Sequence, residues 1–184
     1  MNMTFLLRTA VVALTACACV YLSPASAQTK KSAPTDQATL LGQFGDWGAY
    51  KASPGGKLVC FALSKPTKAV TDPPGRNRDQ PYAFVTTRPA EKVKNEVSVI
   101  VGYPQKPGYD AEAAIDGSAK YALYTQDDGA WVKNAAQEAQ MVDALRKGGQ
   151  MVIVSESSRG TKTTDTYSLK GVSDALDKVA AECK

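Results

Sequence analysis

The tightest constraint on this chain is a pair of distant cysteines, one of them set on the apolar face of an amphipathic segment. Tyr167 to Cys183 reads as a strand end, a glycine turn at Gly171 and a helix. In that helix Val172, Leu176, Val179 and Cys183 recur at spacings of four, three and four, while Asp174, Asp177, Lys178 and Glu182 point away. A helix with this pattern buries one face, which aims the Cys183 thiol at the core. The other cysteines are Cys17, Cys19 and Cys60, and the first two lie in an N-terminal leader. With the leader removed, Cys60 is the remaining partner, and a Cys60–Cys183 disulfide is predicted. Such a link encloses nearly the whole domain in one covalent loop, and by chain entropy a loop of that size stabilises by about 4–5 kcal/mol.

The leader has the layout of a Sec signal peptide. Residues 1–8 carry one positive charge, Arg8, residues 9–22 are apolar, and Pro24-Ala25-Ser26-Ala27 supplies a helix breaker and an A-x-A site, so cleavage is expected between Ala27 and Gln28. Leu14-Thr15-Ala16-Cys17 also reads as a lipobox, which makes an outer-membrane lipoprotein anchored through Cys17 the minor alternative to a periplasmic or secreted protein. The apolar run is too short for a comfortable membrane span, and no transmembrane helix is expected in the mature chain. Export also suits a disulfide, which persists in oxidising compartments. Removing Arg8 from 22 basic residues leaves 21 against 18 acidic ones, a net charge of +3. A balance so near neutrality gives no reason to expect nucleic acid as a partner.

Residues 28–39 are small and polar and read as a flexible segment, leaving 40–184 as one domain. Phe44-Gly45-Asp46-Trp47 enters a first strand, and Ser53-Pro54-Gly55-Gly56 turns it into a second over residues 57–63. Residues 65–81 hold Pro66, Pro73, Pro74 and Pro81 and read as a long basic loop without regular structure. Strands are predicted at 82–87, 96–103, weakly around Ala113, at 120–125, around Trp131, at 151–157 and at 163–169. Asn134 caps a helix over 135–147, with Ala135, Ala139, Val142 and Leu145 on its apolar stripe and Gly148-Gly149 ending it. Many short strands with frequent turns and two helices, one of them C-terminal, predict a mainly β antiparallel sandwich with peripheral helices.

The chain contains no histidine. That excludes Ser-His-Asp and Cys-His catalysis and the usual zinc sites. No serine has a lysine three residues on, so the Ser-x-x-Lys arrangement is absent as well. Asp127-Asp128-Gly129 lacks the alternating acidic ligands and distal glutamate of a calcium loop and reads as a β-turn. Pro54-Gly55-Gly56 lacks the lysine, spacing and following helix of a phosphate loop. No catalytic residue, metal or cofactor is therefore expected. The enzymatic alternative is a small periplasmic hydrolase acting on a glycan through a carboxylate pair such as Asp46 with Asp110 or Asp116.

Binding has better candidates. Lys65, Lys68, Arg76 and Arg78 cluster on the proline-rich loop, with Arg88, Lys92 and Lys94 on a neighbouring turn, and Tyr103 and Tyr109 flank Pro104 and Pro107. Cations on stiffened loops beside aromatic surface suit an acidic partner or anionic sugars and lipids of an envelope or host surface. Trp47 and Trp131 read as core residues on strands.

The Sec leader, the opening Phe44-Gly45-Asp46-Trp47 and the closing Ser168-Leu169-Lys170-Gly171 with Ala175-Leu176 and Cys183 together resemble the invasion-associated locus B family, exported proteins of Gram-negative bacteria. The resemblance implies a compact β-sandwich of the periplasm or outer envelope, with no established catalytic residue to carry over and a role in host-cell association or envelope integrity. Many family members place a cysteine four residues after the tryptophan; this chain has Lys51 there.

Overall fold

The computed structural model describes residues 37–184; the leader, its Ala27–Gln28 cleavage site and Cys17 lie outside the described residues. The elements run β1 (Thr39–Phe44), β2 (Trp47–Ala52), β3 (Val59–Ser64), β4 (Lys68–Asp72), β5 (Tyr82–Arg88), β6 (Val93–Ile100), β7 (Ala111–Ile115), β8 (Ala119–Gln126), β9 (Gly129–Val132), α1 (Ala135–Lys147), β10 (Gln150–Glu156), β11 (Lys162–Ser168) and α2 (Val172–Glu182). The fold is mainly β and antiparallel with two helices, one C-terminal, as the sequence predicts. Hydrogen bonding is continuous through one eleven-stranded run in the order β1-β2-β3-β5-β6-β9-β8-β7-β10-β11-β4, instead of two separate sheets. Among the described residues no helix is long and apolar enough to cross a membrane.

Burial alternates along the strands as the pleat requires, and in β3, β5, β7, β10 and β11 every second residue is buried. Cys60, Val85, Val97, Leu123, Ile153 and Tyr167 all lie on the inward face. That face closes because the sheet curls. The indole Nε1–H of Trp47, on the second strand of the run, donates to Ser168 O at the end of the tenth (2.9 Å), and Asp46 N donates to Lys170 O (3.0 Å). The approach needs glycine on both sides. A Cβ on Gly171, at φ 88°, would lie 2.0 Å from Phe44 O, and one on Gly45, at φ 54°, would lie 2.6 Å from Lys170 O. The opening and closing sequence motifs therefore meet as one clasp. Phe44-Gly45-Asp46-Trp47 is the β1–β2 turn, and the strand entering it, β1, is one the sequence reading missed.

Helix α2 packs against β1, β2 and β3 on the inward face, burying Val172, Ala175, Leu176, Val179 and Cys183. Each of the large aliphatic side chains contributes about 1.5–3 kcal/mol by leaving water. Cys183 is disulfide-bonded to Cys60, with the two Cα atoms 5.9 Å apart. Lys51, cross-strand neighbour of Cys60, reaches Glu182 on the same helix (Nζ to Oε2 3.5 Å). Helix α1 is capped by Asn134, whose side chain accepts from Gln137 N (3.0 Å). Its buried residues are Met141, Val142 and Leu145; Ala135 and Ala139, expected on the apolar stripe, face solvent, so the buried stripe is confined to the second half of the helix.

The outward face carries aromatic rings in cross-strand rows. Tyr50 stacks on Phe61, which meets Phe84 and through it Tyr82, and Tyr124 stacks on Trp131 with centroids 5.6 Å apart. Trp131 is thus a half-exposed surface ring and not the core residue expected, whereas Trp47 is fully buried.

Candidate functional site

The proline-rich stretch that the sequence reads as irregular contains β4. Its prolines, at 66, 73, 74 and 81, bracket residues 68–72 without entering them, so the ladder to β11 loses no donor. In that ladder Asp72 pairs with Lys162. The loop leaving β4 and the hairpin preceding β11 therefore emerge at the same end of the sheet. Between them lies a groove of about 480 Å³ lined by both loops and by Gly102, Tyr103 and Pro104. A second cavity of about 600 Å³ is lined by the 73–81 loop and by Ala69, Val70 and Thr71 of β4, and shares Thr71 and residues 76–79 with the groove.

The loop is held by a buried ion pair. Asp165, on the inward face of β11, is inaccessible to solvent, and the Arg78 side chain is only 8% exposed. Arg78 Nη1 donates to Asp165 Oδ2 (2.7 Å) and Val101 O (2.9 Å), while Nη2 donates to Asp165 Oδ1. Burial alone lowers the pKa of this guanidinium, but the hydrogen bonds and charge of Asp165 outweigh it and hold the value above the ordinary one. The guanidinium also lies 5.9 Å from the Tyr103 ring centroid. Asp79 N donates to Gly102 O (3.0 Å), a backbone approach too close for any side chain on Gly102, where a Cβ would sit 2.2 Å from Asp79 O.

The opposite wall is equally fixed. Tyr103 OH and Thr163 Oγ1 share a hydrogen bond (2.6 Å), and burial raises the tyrosine pKa. Ser158 N donates to Pro104 O (3.0 Å), and the buried Gln105 joins Ser155 to Gly129 O. Tyr167, buried on β11 beyond Asp165, has no hydrogen-bond partner for its hydroxyl, and burial raises its pKa strongly.

On this scaffold stand groups with spare donors. Arg76 and Arg159 are exposed and form no ion pair among the described residues. Ser158 and Asn77 line the same groove, with Asp79 its one lining carboxylate.

The predicted binding residues divide. Arg76, Arg78 and Tyr103 come together in the groove, but Arg78 is committed to Asp165 and acts as the scaffold. Lys65 lies over the Tyr82 ring (5.6 Å), and Lys68 is exposed on β4; neither lines the groove. Tyr109 is also outside it, its carbonyl accepting from Thr125 Oγ1 (2.6 Å). Arg88 is bound by Glu91 and Glu96, so it is not a free cation. Of the carboxylates considered for hydrolysis, Asp110 pairs with Lys133, and Asp116 caps Gly149 N and Gln150 N. Neither they nor Asp46 line either cavity. The residues missed from sequence were Ser158 and Arg159, which fall between the strands predicted at 151–157 and 163–169, and Asp165. The available signal was an acidic residue at an inward position of β11, between Thr163 and Tyr167, which calls for a buried cation.

The sequence profile of the invasion associated locus B (IalB) protein family matches residues 54–180. The chain belongs to this family. The match takes in Cys60, both groove loops and Ser168-Leu169-Lys170-Gly171, and stops short of Phe44–Trp47 and Cys183, which the fold joins to it. No curated protein and no solved structure matches the chain. Lys51 forms a charge link to α2 directly beside the disulfide.

Proposed function

We propose that this IalB-family chain is an exported, non-catalytic envelope protein that acts by binding an anionic partner, in host-cell association or in envelope integrity, through the groove between the 73–81 loop and the 157–161 hairpin. The observation that carries this reading is the placement of Arg76 and Arg159, which form no ion pair among the described residues, on two walls already fixed, one by the Arg78–Asp165 pair and the other by the Tyr103–Thr163 and Ser158–Pro104 bonds. A site whose supporting groups are locked before the ligand arrives loses little conformational entropy on binding. The signal-like leader and the disulfide support export, and the absence of histidine removes the commonest general base.

The test is capture of envelope components from the producing cell by the mature protein and by the Arg76→Glu/Arg159→Glu double variant. Both positions are exposed, so the variant should keep its circular dichroism spectrum and melting temperature while capture is lost. Equal capture by the two proteins would refute the assignment of the groove.

A further inference from the structure

The charge and hydrogen-bonding inventory of the groove narrows the class of ligand. The lining cations are Arg76, Arg78 and Arg159, and the anions are Asp79 in the lining and Asp165 beneath Arg78, which leaves a net charge of +1. A surplus of one matches a ligand with an isolated negative charge and offers little to a polyanion, whose neighbouring charges would meet Asp79. Guanidinium groups suit a planar or tetrahedral oxyanion, which they bind through paired N–H donors.

The remaining groups are not those of a simple anion site. Asn77 and Ser158 have no side-chain hydrogen-bond partner among the described residues, and Ser157 Oγ accepts from Thr161 N (3.0 Å), which leaves its own hydrogen to donate. These groups donate and accept in both senses, as a polyhydroxylated ligand requires. Asp79 accepts only, and so pairs with ligand hydroxyls and repels ligand anions. Pro104 is exposed beside Tyr103 and presents an apolar wall to a ring's C–H face. At about 480 Å³ the groove also falls within the usual range for ligand sites, about 300–1,000 Å³.

We propose that the groove binds an anionic saccharide unit, a sugar ring bearing one carboxylate, phosphate or sulfate group, with Arg76 and Arg159 on the charged group, Asp79, Asn77 and Ser158 on hydroxyls, and Pro104 against the ring. The proposal rests on the binding function assigned to the groove above and adds the ligand's chemistry.

Titration of the mature protein, followed by backbone amide shifts in nuclear magnetic resonance, tests it with four probes: a trisaccharide carrying a single uronic acid, glucose 6-phosphate, uncharged maltotriose and inorganic phosphate. The charged sugars should shift the amides of Asn77, Ser158 and Thr161 and bind at least about tenfold more tightly than maltotriose or phosphate, the factor expected for one charge-assisted hydrogen bond. Arg76→Ala and Arg159→Ala should each weaken charged-sugar binding about tenfold. Asp79→Asn should weaken the sugars and leave phosphate unchanged or tighter. Comparison of the uronate with the sugar phosphate distinguishes the two sources of negative charge. Phosphate binding as tight as the charged sugars would overturn the saccharide assignment. Silence toward all four probes, with envelope capture still dependent on Arg76 and Arg159, would overturn the ligand class and leave the binding function standing; loss of that dependence as well would remove both.

Discussion

Asp165→Asn removes the negative charge that compensates Arg78 and leaves a guanidinium, 8% exposed, facing a neutral amide and Val101 O. Arg78 cannot shed its proton to relieve this, because arginine stays charged at any pH the fold tolerates. Removing one partner of a buried ion pair costs about 3–5 kcal/mol, against a total stability of about 5–15 kcal/mol for a domain. The variant should therefore lose a fifth or more of its stability, read as a fall in the urea midpoint at unchanged m-value. Replacing both residues, Arg78→Met/Asp165→Leu, removes the charge together with its partner. It should recover most of the loss, so that the double variant is more stable than the sum of the single effects by about 2 kcal/mol or more. Amide exchange in residues 73–81 should rise in every variant lacking the pair, because the Arg78 bonds to Asp165 and Val101 tie that loop to the body. A cost below about 1 kcal/mol for Asp165→Asn would mean that the pair behaves like a hydrated surface bridge and that the loop is held by other means.

Two further predictions concern the body of the fold. Cys183→Ser opens a loop closed across a sequence separation of 123 residues, which by chain entropy costs about 5 kcal/mol; the melting temperature should fall steeply, and two free thiols in the denatured, unreduced mature protein would refute the link. Glu138 accepts from Val97 N (2.7 Å), yet burial outweighs that bond and raises its pKa, so its contribution to stability is fully present below the ordinary glutamate value and lost as pH rises through the raised one. Glu138→Gln should accordingly be at least as stable as the parent at pH 7 and show a flatter pH dependence above pH 4.5, whereas a destabilised variant at pH 7 would show that the ionised form is the favoured one.

Local pattern made much of this architecture legible. The α2 stripe, the Asn134 cap and the alternation in β5 and β10 are each written within about ten neighbouring residues, and each appears in the structure. The disulfide was legible by elimination, since export leaves Cys183 one partner. Strand β4 was not, because the prolines around it mask a five-residue segment whose stability comes from its ladder to β11. The groove was half legible. Arg76, Arg78 and Tyr103 stand out by type, but their different duties depend on Asp165 and Arg159, more than fifty residues away. No local pattern distinguishes a cation that binds a ligand from one that binds a buried carboxylate.

That separation bears on what family membership means for this chain. The residues that carry the resemblance all have structural tasks: Gly45 and Gly171 permit the clasp, Trp47 fastens to Ser168 O, and Cys183 closes the covalent loop. None of them lines the groove. The groove is instead built from a loop and a hairpin at the far side of β11, fixed by side-chain bonds that the clasp neither makes nor requires. Two proteins can therefore share the clasp and the disulfide and still present different charges at this end of the sheet. On the proposed reading, the frame fixes where the groove forms, and the residues at 76, 79, 158 and 159 set the charge and hydrogen-bonding groups it presents.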